Sequence, residues 1–102
     1  MAQSSTKRIR HTVVFKLKHP KGSPEEQDFL AAAHQLASIP GVEKFESLKQ
    51  ISQKNNFEWG LSIEFANQTV YDQYNHHPYH VDFVEQRWLK EVEDFLEIDY
   101  QL

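Results

Sequence analysis

Residues 74–80 read Tyr-Asn-His-His-Pro-Tyr-His, so Tyr74, His76, His77, Tyr79 and His80 crowd groups that titrate or hydrogen-bond near neutral pH around one proline. A neutral imidazole can remove a proton from an acidic position, and a phenol can hold the oxyanion that forms. Together they suffice for acid–base chemistry without a cofactor. Pro78 interrupts the helix that would carry them, because the residue before a proline avoids the α conformation; the break can hold ring nitrogens at a set angle. His11 joins the group by pattern, being the polar member of an apolar row with Val13, Phe15 and Leu17. The same residues admit a structural reading, in which His77 caps the first helix of the pair, His80 bonds a backbone carbonyl and Tyr74 is a core residue with its hydroxyl reaching a neighbour. His77 and His80 are also three apart, a spacing open to metal ligation, but no Asp or Glu completes a ligand pattern and Pro78 disturbs the helix. No metal and no cofactor are therefore expected. His19 and His34 read as turn and surface histidines.

The elements that must position these groups can be read from periodicity. Residues 8–18 alternate at the strand period, with His11, Val13, Phe15 and Leu17 on one face and Val14 making the other partly apolar. Such a strand suits a sheet covered on both sides. Ser23-Pro24-Glu25-Glu26 has the form of a capping box with proline at the first helical position, and Phe29, Leu30, Ala33, Leu36 and Ala37 follow at helical spacing up to Pro40-Gly41. Residues 42–52 alternate weakly and predict a strand with a bulge. After the turn at residues 53–56, Phe57, Trp59, Leu61, Ile63 and Phe65 alternate strictly with Glu58, Gly60, Ser62 and Glu64, which gives a second strand and a hairpin. Asn67 caps a short helix through Tyr74; a further helix over residues 79–93 presents Val81, Val84, Trp88, Leu89 and Val92 on one face; residues 95–100 form a last strand. The order strand, helix, strand, strand, helix pair, strand is the split βαβ pattern of a ferredoxin-like α+β domain, a four-stranded antiparallel sheet backed by helices.

Composition narrows the classes further. At 102 residues the chain holds one core, read as a polar lead-in over residues 1–7 and a single domain over residues 8–102. A net charge of -4 and scattered Lys and Arg argue against nucleic acid, which needs a basic stripe. The polar start lacks the apolar core of a secretory signal, and no stretch approaches a membrane span. The absence of cysteine excludes disulfides and thiolate chemistry and agrees with a cytoplasmic location.

In three stretches the chain resembles the stress-responsive A/B barrel (Dabb) family of the dimeric α/β barrel superfamily. These are His11-Thr12-Val13-Val14-Phe15-Lys16-Leu17-Lys18, Ile51-Ser52-Gln53-Lys54-Asn55, and Tyr74 through Val81 with its His-Pro-x-His core. The resemblance implies a homodimer in which two four-stranded sheets face each other as a dimeric α/β barrel. It also implies a cavity between sheet and helices for a small hydrophobic or aromatic ligand, bordered by His11, Val13, Phe29, Trp59, Leu61 and Tyr74, with His77 and His80 at its edge. In the plant olivetolic acid cyclase branch, which closes a polyketide by aldol condensation, a tyrosine and a histidine matching Tyr74 and His80 are catalytic. Carried over, His80 is the general base and Tyr74 the donor to the developing oxyanion. Ala33 and Trp59 stand where that branch has a bulky aromatic and a histidine, so the cavity differs in shape and polarity. The leading expectation is a homodimeric domain of unassigned activity that binds such a ligand. The alternatives are a cofactor-free cyclase or monooxygenase and, third, a haem- or metal-binding protein.

Overall fold

A computed structural model describes residues 7–102, so the lead-in over residues 1–6 lies outside the described residues. Four strands, β1 (Ile9–Leu17), β2 (Glu43–Lys49), β3 (Trp59–Phe65) and β4 (Val92–Gln101), form one antiparallel sheet in the order β2-β3-β1-β4. Helix α1 (Pro24–His34) joins β1 to β2, and α2 (Gln68–His76) and α3 (Pro78–Phe83) lie between β3 and β4. This is the ferredoxin-like α+β arrangement expected from the element order. Among the described residues no helix is long and apolar enough to cross a membrane.

Period-two alternation assigns the two faces. Ile9, His11, Val13, Phe15 and Leu17 of β1 and Leu61, Ile63 and Phe65 of β3 are buried under the helices, where they meet Phe29, Ala33, Leu36, Tyr71, Tyr74 and Phe83. Phe15 and Phe29 are fully covered, and Phe15 packs 5.1 Å from Trp88 and 5.8 Å from Phe29, ring centre to ring centre. Covering a side chain of this size contributes roughly 1.5–3 kcal/mol, so this aromatic group anchors the helices to the sheet.

Helix termini follow the sequence signals with one change. The Ser23 hydroxyl accepts from the Glu26 N–H at 3.2 Å, as an N-cap should. The Glu26 carboxylate does not close a capping box onto Ser23. It takes the Gly22 N–H at 2.9 Å and the Trp59 indole N–H at 3.1 Å instead, tying the loop before α1 to β3. Asn67 caps α2 by accepting from the Val70 N–H at 2.9 Å. The β2–β3 register shifts between Glu43 and Glu46, where Lys44 adopts φ 49°, so the irregularity expected in β2 is a left-handed residue. The last helix begins at Pro78 and gives way to β4 at Val92, earlier than the strand boundary read from sequence. Between them lie a π-helical turn, Val84–Trp88, and a closing α turn, Leu89–Glu91.

Among the described residues nothing covers the other face of the sheet. Cross-strand register aligns Leu48, Gly60, Val14 and Leu96 in one row and Glu46, Ser62, Thr12 and Ile98 in the next. Leu48, Leu96, Ile98 and Tyr100 are all at least 41% exposed, an apolar surface that no helix of the described residues covers. At the rim of this face Glu64 receives Arg10 at 2.8 Å and Arg8 at 3.1 Å, and Arg8 also reaches Glu43 at 2.9 Å.

The two guanidiniums, Arg10 foremost and then Arg8, hold the Glu64 carboxyl down at about 2, against an ordinary value of 4.5. A carboxylate so depressed contributes stability fully above its unfolded value and loses it as pH falls through the folded one. Thermal melts from pH 7 to pH 2 should therefore show Glu64→Gln melting below wild type at pH 7, with the gap closing between pH 4.5 and 2. An unchanged gap at pH 2 would contradict this assignment.

Candidate functional site

The His-Pro-x-His segment builds its geometry from one substituted hydrogen bond. The His77 ring accepts the Tyr79 N–H at its Nδ1, 3.1 Å away, and so caps α3, while Pro78 at the first helical position has no N–H to offer. With the Tyr79 N–H diverted, the Asn75 carbonyl at the end of α2 is left for the His80 ring, whose Nδ1 approaches it at 3.2 Å. A carbonyl only accepts, so Nδ1 of His80 carries the hydrogen and the neutral ring keeps its lone pair on Nε2. Burial, the largest influence, pushes His80 below its ordinary 6.5; the Asn75 carbonyl opposes the shift, and His11 adds to it.

His80 lies against Tyr74, ring centres 4.5 Å apart. Tyr74 is 2% exposed and packs on Phe65 at 5.0 Å. Its hydroxyl makes no hydrogen bond among the described residues, yet it is not sealed away, because Tyr74 lines a cavity. Burial first, and the charge of Glu97 second, raise the phenol well above its ordinary range, so it stays a donor. Tyr74 thus supplies a proton-bearing hydroxyl on a ring packed against an imidazole whose free nitrogen can accept a proton.

The cavity measures about 240 Å³. A dry apolar cavity of ~150 Å³ accommodates benzene, so this one suits a single aromatic ring with a short substituent. Its sheet wall carries His11, Val13, Leu61, Ile63, Phe95 and Glu97, and its helix wall includes Tyr74, His80, Phe83, Val84, Trp88 and Leu89. Both ends of the π-helical turn face it, a local widening of the kind that recurs at functional sites.

His11 sits on the sheet wall, 6% exposed, with its ring centre 6.5 Å from that of Tyr74. Its Nδ1 lies 2.6 Å from Asp99 Oδ1 and 2.9 Å from the Tyr71 hydroxyl, which is itself 2.8 Å from Asp99 Oδ2. Its Nε2 lies 3.6 Å from a Glu97 carboxylate oxygen.

Of the residues expected at the site, the structure brings His11, Val13, Leu61, Tyr74 and His80 to the cavity wall. Three expectations are corrected. Phe29 lies one layer deeper, fully covered beneath Phe83 and Trp88 at 5.5 and 6.1 Å. Trp59 is held away by the Glu26 carboxylate at the far end of β3. His77 spends its Nδ1 as a helix cap and does not reach the wall. Sequence reasoning missed Glu97, Phe95 and Asp99, whose placement depends on the β1–β4 register, and Tyr71, one helical turn before Tyr74. The helical spacing of Tyr71 and Tyr74 was the one available signal. Among the described residues no group of three or more His, Cys, Asp or Glu is placed to hold a metal ion.

A family model described as the stress responsive A/B barrel domain matches residues 9–102. No curated protein matches the chain. Among solved structures, a dabb family protein with a ferredoxin-like fold from Mesorhizobium loti is 56% identical, with a TM-score of 0.91, covering 92% of this chain and 95% of that one. A dimeric protein of unknown function from Bacteroides fragilis is 22% identical with a TM-score of 0.71, covering 93% and 96%. The hydroxynitrile lyase of Passiflora edulis is 14% identical with a TM-score of 0.83, covering 95% and 94%. The last two likenesses are likenesses of fold.

A lowered histidine favours the neutral form in the fold, so its contribution to stability is full above about 6.5 and falls as pH drops below that value. An NMR titration should find His80 half-protonated below pH 6.5, with the hydrogen of its neutral form on Nδ1. A midpoint at or above 6.5 would contradict the geometry.

Proposed function

The chain belongs to the stress-responsive A/B barrel domain family, and from that premise we propose that it acts as a cytoplasmic homodimer whose cavity binds a small, largely apolar or aromatic molecule. One observation carries the ligand reading: in a largely apolar cavity the hydroxyl of the otherwise buried Tyr74 is open to the cavity and has no partner among the described residues, while the adjacent His80 has its Nδ1 hydrogen committed to Asn75. A ligand oxygen placed there would satisfy Tyr74 and face the remaining His80 nitrogen. Pairing is supported by the bare apolar sheet face with Leu48, Leu96, Ile98 and Tyr100, and by relatives described as dimeric. Burying that face removes apolar area from water at roughly 25 cal/mol per Å².

The same pair favours a second reading, a cofactor-free enzyme. His80 would take a proton from an acidic C–H or O–H through Nε2, and Tyr74 would donate to the oxygen on which charge develops. Neither step requires a metal ligand.

Trp88 lines the cavity and Trp59 does not, so fluorescence reports occupancy directly. Titration with small phenols and benzyl alcohols should perturb emission in wild type and in Trp59→Phe, and leave Trp88→Phe unresponsive. Tyr74→Phe should weaken binding on the order of 2- to 10-fold, the worth of one hydrogen bond, at nearly unchanged melting temperature. If a substrate is turned over, His80→Ala should lower kcat by about 100- to 10,000-fold. Light scattering at micromolar concentration should give the dimer mass, and Leu96→Glu with Ile98→Glu the monomer mass. A probe response that survives in Trp88→Phe, or a monomeric wild type, would contradict the respective part.

A further inference from the structure

The polar cluster behind the sheet wall is not needed to hold Tyr74 or His80, and it is built around His11. A carboxylate only accepts hydrogen bonds. The two oxygens of Asp99 therefore take one hydrogen from His11 Nδ1, at 2.6 Å, and one from the Tyr71 hydroxyl, at 2.8 Å. The Tyr71 oxygen, 2.9 Å from Nδ1, bounds the same hydrogen from the other side. Tyr71 cannot readily ionise in this position, because burial and then Asp99 push its phenol far above the ordinary range. With Nδ1 committed, the ring presents Nε2 as its exchangeable position. The groups facing the ring are Asp99 and Glu97 from β4, Tyr71 and Tyr74 from α2, His80 from α3 across the cavity, and Ile63 opposite on β3.

We propose that Asp99 and Tyr71 are positioning residues that fix His11 as a second acid–base group of the cavity, on its sheet wall, and that the occupant is a molecule free of negative charge that bears a hydroxyl for His11 Nε2. This rests on the ligand-binding reading of the cavity and specifies it. An acceptor nitrogen calls for a donor on the ligand, and an oxygen at the other end of the molecule meets Tyr74. Negative charge is selected against: Glu97 stands 3.6 Å from Nε2, Asp99 lies behind the ring, and no lysine or arginine lines the cavity among the described residues. A ligand carboxylate would meet like charge with nothing to pair it.

The test uses the full chain labelled with 15N. Long-range proton–nitrogen spectra should show the neutral His11 ring with its hydrogen on Nδ1. Asp99→Asn, whose amide can donate to Nδ1, should move the hydrogen to Nε2; Tyr71→Phe should weaken the preference, and Asp99→Glu should retain it. A purely structural cluster would lower the melting temperature without moving the hydrogen. A wild-type ring with its hydrogen on Nε2, or one unchanged in both Asp99→Asn and Tyr71→Phe, would overturn the positioning roles. In parallel, 4-hydroxybenzyl alcohol should bind about fivefold or more tighter than 4-hydroxybenzoate by Trp88 fluorescence, and Glu97→Gln should narrow the gap. Equal binding of the two probes would overturn the charge selection. Failure of both probes together with all other small aromatics would overturn the ligand-binding reading itself, with the ring spectra still deciding the role of Asp99.

Discussion

An imidazole on the buried face of a central strand must find hydrogen-bond partners or cost the fold a few kcal/mol, and His11 of β1 is such an imidazole. Its partners come from both sides, Tyr71 from the helix layer and Asp99 from β4. A one-residue slip of β4 would turn Asp99 to the bare face and bring the apolar Ile98 or Tyr100 under the helices. Register, helix placement and the polar end of the cavity are thus set by the same cluster. The aromatic group of Phe15, Phe29, Phe83 and Trp88 sets the apolar end.

The helix pair obeys a comparable economy. His77, Pro78 and His80 are often read together as a motif, but here they have three separate tasks: one ring accepts, one residue withholds a donor, and one ring donates to the carbonyl thereby left over. The structural duty envisaged for His80 is met, whereas the His77 ring caps α3, the second helix of the pair, and not the first; both use only Nδ1. The opposite tautomers follow from the partners, an N–H for His77 and a carbonyl for His80. Only the second ring reaches the cavity, which is why the two histidines, three positions apart, are not equivalent.

The strands and helices were legible because alternation and caps are local signals. β1 and β3 followed from period two, and α1 and α2 from Ser23 and Asn67. The final helix was read too long because Leu89 and Val92 continue its apolar face, whereas a π-helical turn and the demands of pairing with β1 end it at Glu91. Tyr74, His80 and His11 stood out by type and phase. Asp99 and Glu97 could not, since an acidic residue in an exposed strand looks like solvated surface until its cross-strand neighbour is known. Trp59 was misplaced for the converse reason: its phase is that of the cavity residues, but its position along β3 puts it beyond the cavity, where Glu26 claims the indole.

His11 and Asp99 are 88 positions apart, and β1 lies between β3 and β4 in the sheet. Closing so long a loop is entropically late work, because the first strand must wait for the last before its second edge is paired. Until then the hairpin of β2 and β3 can form locally, but the imidazole remains unanchored and the pocket lacks a wall. The cluster that orients the His11 ring is consequently complete only when β4 has paired with β1. A half-assembled molecule would hold the histidines without the partners that orient them.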